Sequence, residues 1–395
     1  GIEDSSIVYT RKISITTLNN NEKSVSSTVT WEASPERTLT VELVTFLTNW
    51  PGVEATGGDT GGGGLSGDWN NPRTLGSIDL GPGNSATDLD VKNKIVYVSA
   101  EASAVSKPDF FIIDATDGQN PVIKSDINVG SKGLNALDAA GNYVYAANQA
   151  TTKQLVVIDV SNINSPVIVT SSSLPGVSGS GGAGNTIFYF DSKIYIATKK
   201  ATGPEFHVFD VSNPLSPTSL GSFEMDTDVN SIYVFNNVAY VAVSADDELR
   251  MLNISNPASI SQIGNYDAPG DTEDGKVAYL VGTRIYLGRL VGGNHTNHHE
   301  FHIIDVSSSS SPQNLGSVDL AVDLNDLRTR DSLAFFGTSD SNNEFQVWNI
   351  SNPSNLSLVS SFNFPQVASG IDYEDNLVYV AVRSNDALRI ITSTP

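Results

Sequence analysis

The residues best suited to chemistry in this chain are imidazoles and carboxylates gathered in loops. His295, His298 and His299 stand beside Glu300 in the segment Asn294-His-Thr-Asn-His-His-Glu-Phe-His302. Imidazole nitrogens with a neighbouring carboxylate suit zinc or copper, against the reading of a long polar loop between strands. The spacing is not that of the helical HExxH motif, so no helix is expected to align these rings. His302 stands apart, because His207 holds the same place in Glu205-Phe-His-Val-Phe209; both are expected in strands. Acidic residues crowd other loops: Asp226 and Asp228; Asp246, Asp247 and Glu248; Asp267, Asp271, Glu273 and Asp274; Asp340 and Glu344; Asp386. Dense loop carboxylates suit Ca²⁺, a hard cation that takes about six to eight oxygens. No segment has the spacing of an EF-hand loop, so Asp271, Glu273 and Asp274 are cation candidates by density alone, against the reading of a solvated acidic rim. Gly179-Ser-Gly-Gly-Ala-Gly184 spells GxGxxG but precedes a strand, whereas a phosphate-binding loop must open a helix. No G-x-S-x-G elbow occurs, and nothing marks any pair of acids as a glycosidase acid and base.

The chain that must position these groups has 395 residues, with 44 acidic against 22 basic side chains, a net charge of −22 and no cysteine. Phosphate backbones and anionic membranes need clustered Lys and Arg, so the balance argues against nucleic-acid or membrane binding by the residues present. The missing cysteines exclude thiolate catalysis, Cys-ligated zinc, iron–sulfur clusters and disulfides. With 39% hydrophobic and 17% charged residues the chain is expected to fold. No apolar run approaches the ~20 residues that span a bilayer, and the opening at Gly1 reads as a processed or truncated product.

A repeat dominates. Phe110–Asp114, Leu155–Asp159, Phe206–Asp210, Leu249–Asn253, Phe301–Asp305, Phe345–Asn349 and Leu388–Thr392 are seven copies of one segment, and their last residues are 45, 51, 43, 52, 44 and 43 apart. Such a period accommodates four short strands with their turns. In the fourth repeat Val229–Phe235 and Val238–Val243 flank the turn Asn236-Asn237, Leu249–Ile254 follows the acidic loop, and Ser255-Asn256-Pro257 turns into a strand near Ile260–Tyr266. Helical periodicity is absent from the repeats, which leaves a β-propeller or a β-solenoid. The ends favour the propeller: the seventh repeat stops after its third strand. An orphan fourth strand, Pro72-Arg-Thr-Leu-Gly-Ser-Ile-Asp-Leu80, precedes the first repeat and matches Pro217–Met225 and Pro312–Leu320. The expected fold is all-β, a seven-bladed propeller in which residues 72–80 complete the blade built from about 368–392.

The phrase formed by these segments and the Ser-Asn-Pro turns after them resembles the LVIVD repeat over about 72–395. That resemblance implies a propeller on bacterial or archaeal surface proteins, with no reaction attached. Residues 1–51 lie outside the repeat. Ile2–Ile13 is expected to be the end of an amphipathic helix, and Ser24–Trp31 with Arg37–Leu47 a β-hairpin; with Gly1-Ile-Glu-Asp-Ser-Ser6 and Thr45-Phe-Leu-Thr-Asn-Trp50 this resembles the body of type IV pilin-like proteins. Residues 52–71, with eight glycines between Gly52 and Gly67, read as a flexible tether, against the reading of a plain loop with residues 1–50 packed on the propeller's side. The functional expectation is a display or binding protein, adhesin-like or minor-pilin-like, located extracellularly or on the cell surface. Its partners would be other surface or pilus proteins or surface glycans, no cofactor would be required, and Ca²⁺ would be the ion if one is bound. The alternatives are a structural subunit of an extracellular filament, and a hydrolase or lyase with a metal or carboxylates at the central mouth.

Overall fold

Val, Ile, Tyr, Phe and Thr alternate along most segments of the chain, and such residues pack well on a pleated surface but lose side-chain freedom in a helix. A computed structural model describes residues 9–19, 22–34, 37–48, 65–130, 133–269, 274–291, 298–384 and 386–394; among them no α-helix occurs, and the one 3₁₀ turn is Pro257–Ser259. The chain divides into two units, Gly1–Val53 and Glu54–Pro395.

The first unit is a three-stranded antiparallel sheet of Tyr9–Asn19, Glu22–Ser34 and Arg37–Thr48 in that order. The helix expected over Ile2–Ile13 is therefore corrected where it is described. Tyr9–Ile13 is strand, with Tyr9 opposite Trp31 and Ile13 opposite Ser27. The local run Ile13-Ser-Ile-Thr-Thr17 alternates with period two and is rich in β-branched residues, which outweighs the helical spacing of Ile2, Ile7, Val8 and Ile13. Residues 1–8 and 52–64, with most of the expected tether, lie outside the described residues.

The second unit is a seven-bladed propeller, each blade an antiparallel sheet of four strands. The first strands of blades one to seven are Asn84–Lys92, Leu134–Ala140, Gly184–Phe190, Val229–Phe235, Gly275–Val281, Leu324–Arg330 and Ala368–Glu374. Each packs beside the first strand of the next blade, and Ala368–Glu374 packs beside Asn84–Lys92, so these seven strands encircle the axis. Apolar side chains fill the spaces between blades; Leu89, Val98, Phe111 and Ile113 of blade one meet Tyr379, Ala381, Leu388 and Ile390 of blade seven in one buried cluster. At the outer strands four repeated glycines matter: a Cβ on Gly221, Gly264 or Gly316 would stand 1.8–1.9 Å from a carbonyl oxygen of the neighbouring blade's turn, and one on Gly76 2.2 Å from that of Gly118.

Blade seven closes the ring with a strand from the other end of the chain. Asp68–Ile78 pairs antiparallel with Leu388–Thr394, placing Ile78 opposite Leu388, Gly76 opposite Ile390 and Arg73 opposite Thr392. This strand starts before the point at which the sequence marks it, within the expected linker. The Oδ1 of Asp68 accepts the Asn70 N–H at 2.9 Å, as the Oδ1 of Asn256 accepts that of Ala258 in blade four, so Asp68 supplies the turn that the seventh repeat lacks. Trp69 is buried beside Phe335, with ring centroids 4.9 Å apart, and the N–H groups of Leu65 and Ser66 donate to Asp331 and Asn376 at 2.8 and 2.9 Å. A chain beginning at Pro82 should therefore melt well below the full one and regain its transition when a peptide spanning 65–81 is added. Melting at the full chain's temperature without the peptide would contradict closure.

Candidate functional site: the loop face and the axial mouth

The loops joining second to third strands, and fourth strands to the next blade, share one face. The residue just before the third strand is Asp109, Gln154, Glu205, Glu248, Glu300 or Glu344 in blades one to six, and all six are buried. Each side chain accepts a backbone N–H twenty residues further on. Asp109 takes Val129 at 2.8 Å, Gln154 takes Leu174 at 3.1 Å, Glu205 takes Met225 at 2.9 Å, Glu248 takes Ala268 at 2.8 Å, and Glu300 and Glu344 take Leu320 and Phe364 at 2.6 Å. The loop after the fourth strand turns sharply there, leaving an N–H that no sheet partner reaches, and a buried N–H must be paired. Gln154 does the same task as the acids, so the essential property is an acceptor oxygen rather than a charge. Blade seven, whose fourth strand comes from the chain's other end, has Ala387 at this position and no carboxylate to offer.

Glu300 thus belongs to the scaffold: its Oε2 also accepts the Ala321 N–H at 3.0 Å, and burial pushes its pKa up. Of its expected companions, His299 bonds Ser317 Oγ through Nδ1 at 2.6 Å, and its carbonyl receives Arg289 Nη1 at 3.1 Å and His302 Nε2 at 2.9 Å. His298 is half-buried, as is Asp274, whose carbonyl accepts the Leu290 N–H at 2.8 Å. His295, Asp271 and Glu273 lie outside the described residues. Among the described residues no three His, Asp or Glu side chains are grouped so as to hold a metal ion. His207 and His302 are buried strand residues, each with Nε2 on a backbone carbonyl, at 2.7 and 2.9 Å; burial lowers their pKa values to about 4 and about 3.

The other loop acids divide. Arg250 pairs with Asp247 at 2.7 Å, Arg389 pairs with Asp386, Arg289 pairs with Glu248 in the interior, and Asp228 Oδ1 accepts the Lys200 N–H at 2.8 Å. Glu248 is pushed up to about 7 by burial, against the opposing effect of Arg289. Asp246, Asp267 and Asp319 are exposed, and so is Asp226, although Lys200 pairs with it at 2.6 Å.

Where this face meets the axis, polar side chains tie the blades together. Thr87, Asn135, Asn185, Asn230, Asn325 and Ser369 occupy one register position of the first strands, beside its bulge. Each donates to the carbonyl of a residue opening the next blade: Leu134, Gly184, Val229, Gly275, Ala368 and Ala86, at 2.6–3.1 Å. Deeper in, the ring is half acidic and half aromatic. Asp88, Asp90, Asp138, Asp326 and Asp372 accept N–H groups of Leu137, Ala139, Tyr189, Ile371 and Val91 at 2.7–3.1 Å. Phe188, Tyr233 and Tyr279 follow one another at 4.9 and 5.7 Å between centroids. Arg328 joins the halves, 5.2 Å above the Tyr279 ring and bonded to Asp326 and Asp372 at 3.2 and 3.3 Å. Burial, reinforced by Asp326, pushes Asp88 up to about 7; burial also raises Asp90 and Asp138. No ligand or catalytic motif marks this belt in the sequence; its signal is Asn at one place in four of the aligned first strands.

A family model described as the LVIVD repeat matches residues 135–173, 194–225, 226–268, 296–320 and 338–364. The chain carries LVIVD repeats. No curated protein matches it. Among solved structures the LVIVD-repeat propeller resembles the β-propeller domain of Cps50 (Swd1) from Myceliophteria thermophila, with TM-score 0.59 and 11% identity over 82% of this chain and 100% of that one. It also resembles the WD40 propeller domain of Doa1, at TM-score 0.58 and 11% identity over 82% of this chain and 97% of that one. A chain of the mitotic checkpoint complex matches at 0.58 and 10% identity, over 85% and 97%. At such identities the likeness is one of fold.

Two outcomes test the site's chemistry. Glu344→Gln should leave unfolding in urea nearly unchanged, as Gln154 does naturally, whereas Glu344→Ala should cost about 1–3 kcal/mol by leaving the Phe364 N–H unpaired in the interior. Equal losses would show that charge matters. For Asp88, the raised pKa means that the folded chain binds the proton more tightly than the unfolded one, so its contribution to stability falls as pH rises from about 4 to about 7. The melting temperature of Asp88→Asn minus that of the parent should therefore rise across this window, and a flat difference would contradict the shift.

Proposed function

We propose that the LVIVD-repeat propeller is a non-catalytic binding protein that presents its loop face to a partner on the cell surface. The observation that carries this reading is the use of the buried loop acids as backbone acceptors. Six acceptors anchor the described loops after the fourth strands, so exposed acids such as Asp226, Asp246, Asp267 and Asp319 are displayed on a face held at six points. Rigid display reduces the ordering cost of association. The propeller fold suits protein binding, since each blade contributes loops to one continuous face. The partner fitting these acids is a basic patch on a surface or pilus protein, or a glycan held through Ca²⁺. An extracellular location is part of the proposal and is supported by the resemblance to repeats of surface proteins.

Purified protein should co-sediment with cell envelopes of the source organism, and a variant with Asp226, Asp246, Asp267 and Asp319 all changed to Asn should lose most of that retention. Loss of binding in a chelator and recovery with Ca²⁺ would assign the glycan mode, while indifference to both would assign the basic protein partner. Equal retention of parent and variant, or turnover of the bound material, would overturn the reading.

A further inference from the structure

Six first strands place a neutral donor at the axial mouth and bond it to the next blade; the seventh places Lys276 there. Its counterparts in four blades are Asn135, Asn185, Asn230 and Asn325, and like them it is half-buried. Among the described residues its ammonium has no hydrogen bond or ion pair. Its surroundings fix its position. Burial lowers its pKa, and the remaining influences are Asp326, Lys199, Asp88 and Arg383, which belong to blades six, three, one and seven. Lys276 stands at the bulge between Gly275 and Val277, the register at which the other six first strands hold their donors to the next blade.

We infer that Lys276 anchors a binding site for a carboxylate at the axial mouth. The ammonium supplies the charge, and the amides of Asn325, Asn135 and Asn185 each retain a second N–H beyond the one given to the next blade, whereas Asn230 gives both of its own, to Gly275 and Ser244, so an oxyanion there meets several donors. Lys199 and Arg383 add positive charge, Arg383 being held by Glu101 at 2.7 Å. The acids nearby select the ligand. Asp88 and Asp326 act on the same spot in a chain of net charge −22, and they oppose a phosphate dianion about twice as strongly as a singly charged carboxylate. The inference deepens the loop-face reading: a partner lying across that face would lay a carboxylate of its own over the mouth.

The test uses the full chain with lysines carrying ¹³C at Cε. Sodium acetate, titrated against chloride at constant ionic strength, should move the Lys276 resonance saturably, and inorganic phosphate should move it less. No movement with acetate overturns the site, and an equal or stronger response to phosphate overturns the choice of carboxylate. Lys276→Asn places the majority residue in the ring, where it can bond the Leu324 carbonyl. It should melt at or above the parent's temperature without acetate and lose the rise that acetate gives the parent. Melting well below the parent would show that the ammonium serves to neutralise Asp88 and Asp326, which overturns the inference. A short peptide ending in a free carboxylate distinguishes the sources: tighter binding than acetate assigns a partner's terminus, and equal binding assigns a free acid. The variant with Asp226, Asp246, Asp267 and Asp319 changed to Asn should keep the acetate response, so loss of envelope binding alone counts against the loop-face reading and leaves the site standing.

Discussion

A backbone N–H or C=O removed from water must find a partner, and in this molecule that constraint decides where side chains with chemical potential are placed. Four-stranded blades satisfy most of their own groups. Two places remain, the sharp turn after each fourth strand and the innermost strand facing the axis. The chain answers the first with an acid or Gln before the third strand, and the second with a ring of Asn, Thr and Ser. Closure by Asp68–Ile78 is the same constraint met at the scale of a strand, since the third strand of blade seven would otherwise expose an unpaired edge.

The acidity of the chain acquires two meanings. Part of it is interior: Asp88, Asp90, Asp138, Glu248 and Glu300 have their pKa values raised by burial, and act as acceptors of N–H groups. The rest lies on loops, as at Asp246, Asp267 and Asp319, and is what an approaching molecule meets first. Loops held by buried acceptors cost little further ordering when something binds, which links the interior acids to the proposed role of the exposed ones. Lys276 departs from the pattern. It places a cation where the architecture needs only a neutral donor, and the fold alone does not account for it.

Much of this was legible in the sequence. Seven copies of the third strand, spaced at the length of a four-stranded blade, gave the propeller, and Pro72–Leu80 matched the fourth strands well enough to indicate how the ring closes. Tyr9–Ile13 is strand and not helix because the β-branched alternation that follows outweighs apolar residues at helical spacing. In the sequence the loop acids can be a cation set or a solvated rim, because a sequence shows density and not burial. Glu248, Glu300 and Glu344 are set apart from Asp246 and Asp267 by standing one residue before a third strand. That register, and the Asn column of the first strands, emerges when the repeats are aligned on their strands instead of being scanned for ligand motifs.

Amide hydrogen exchange tests most directly the claim that buried side-chain acceptors hold the loop face. The N–H groups of Leu174, Met225, Ala268, Leu320 and Phe364 lie in or beside loops between blades and outside the strand ladders. They should exchange as slowly as those in the third strands, and Phe364 alone should become fast in Glu344→Ala. Exchange at the rate of exposed loop amides in the unaltered protein would contradict the account.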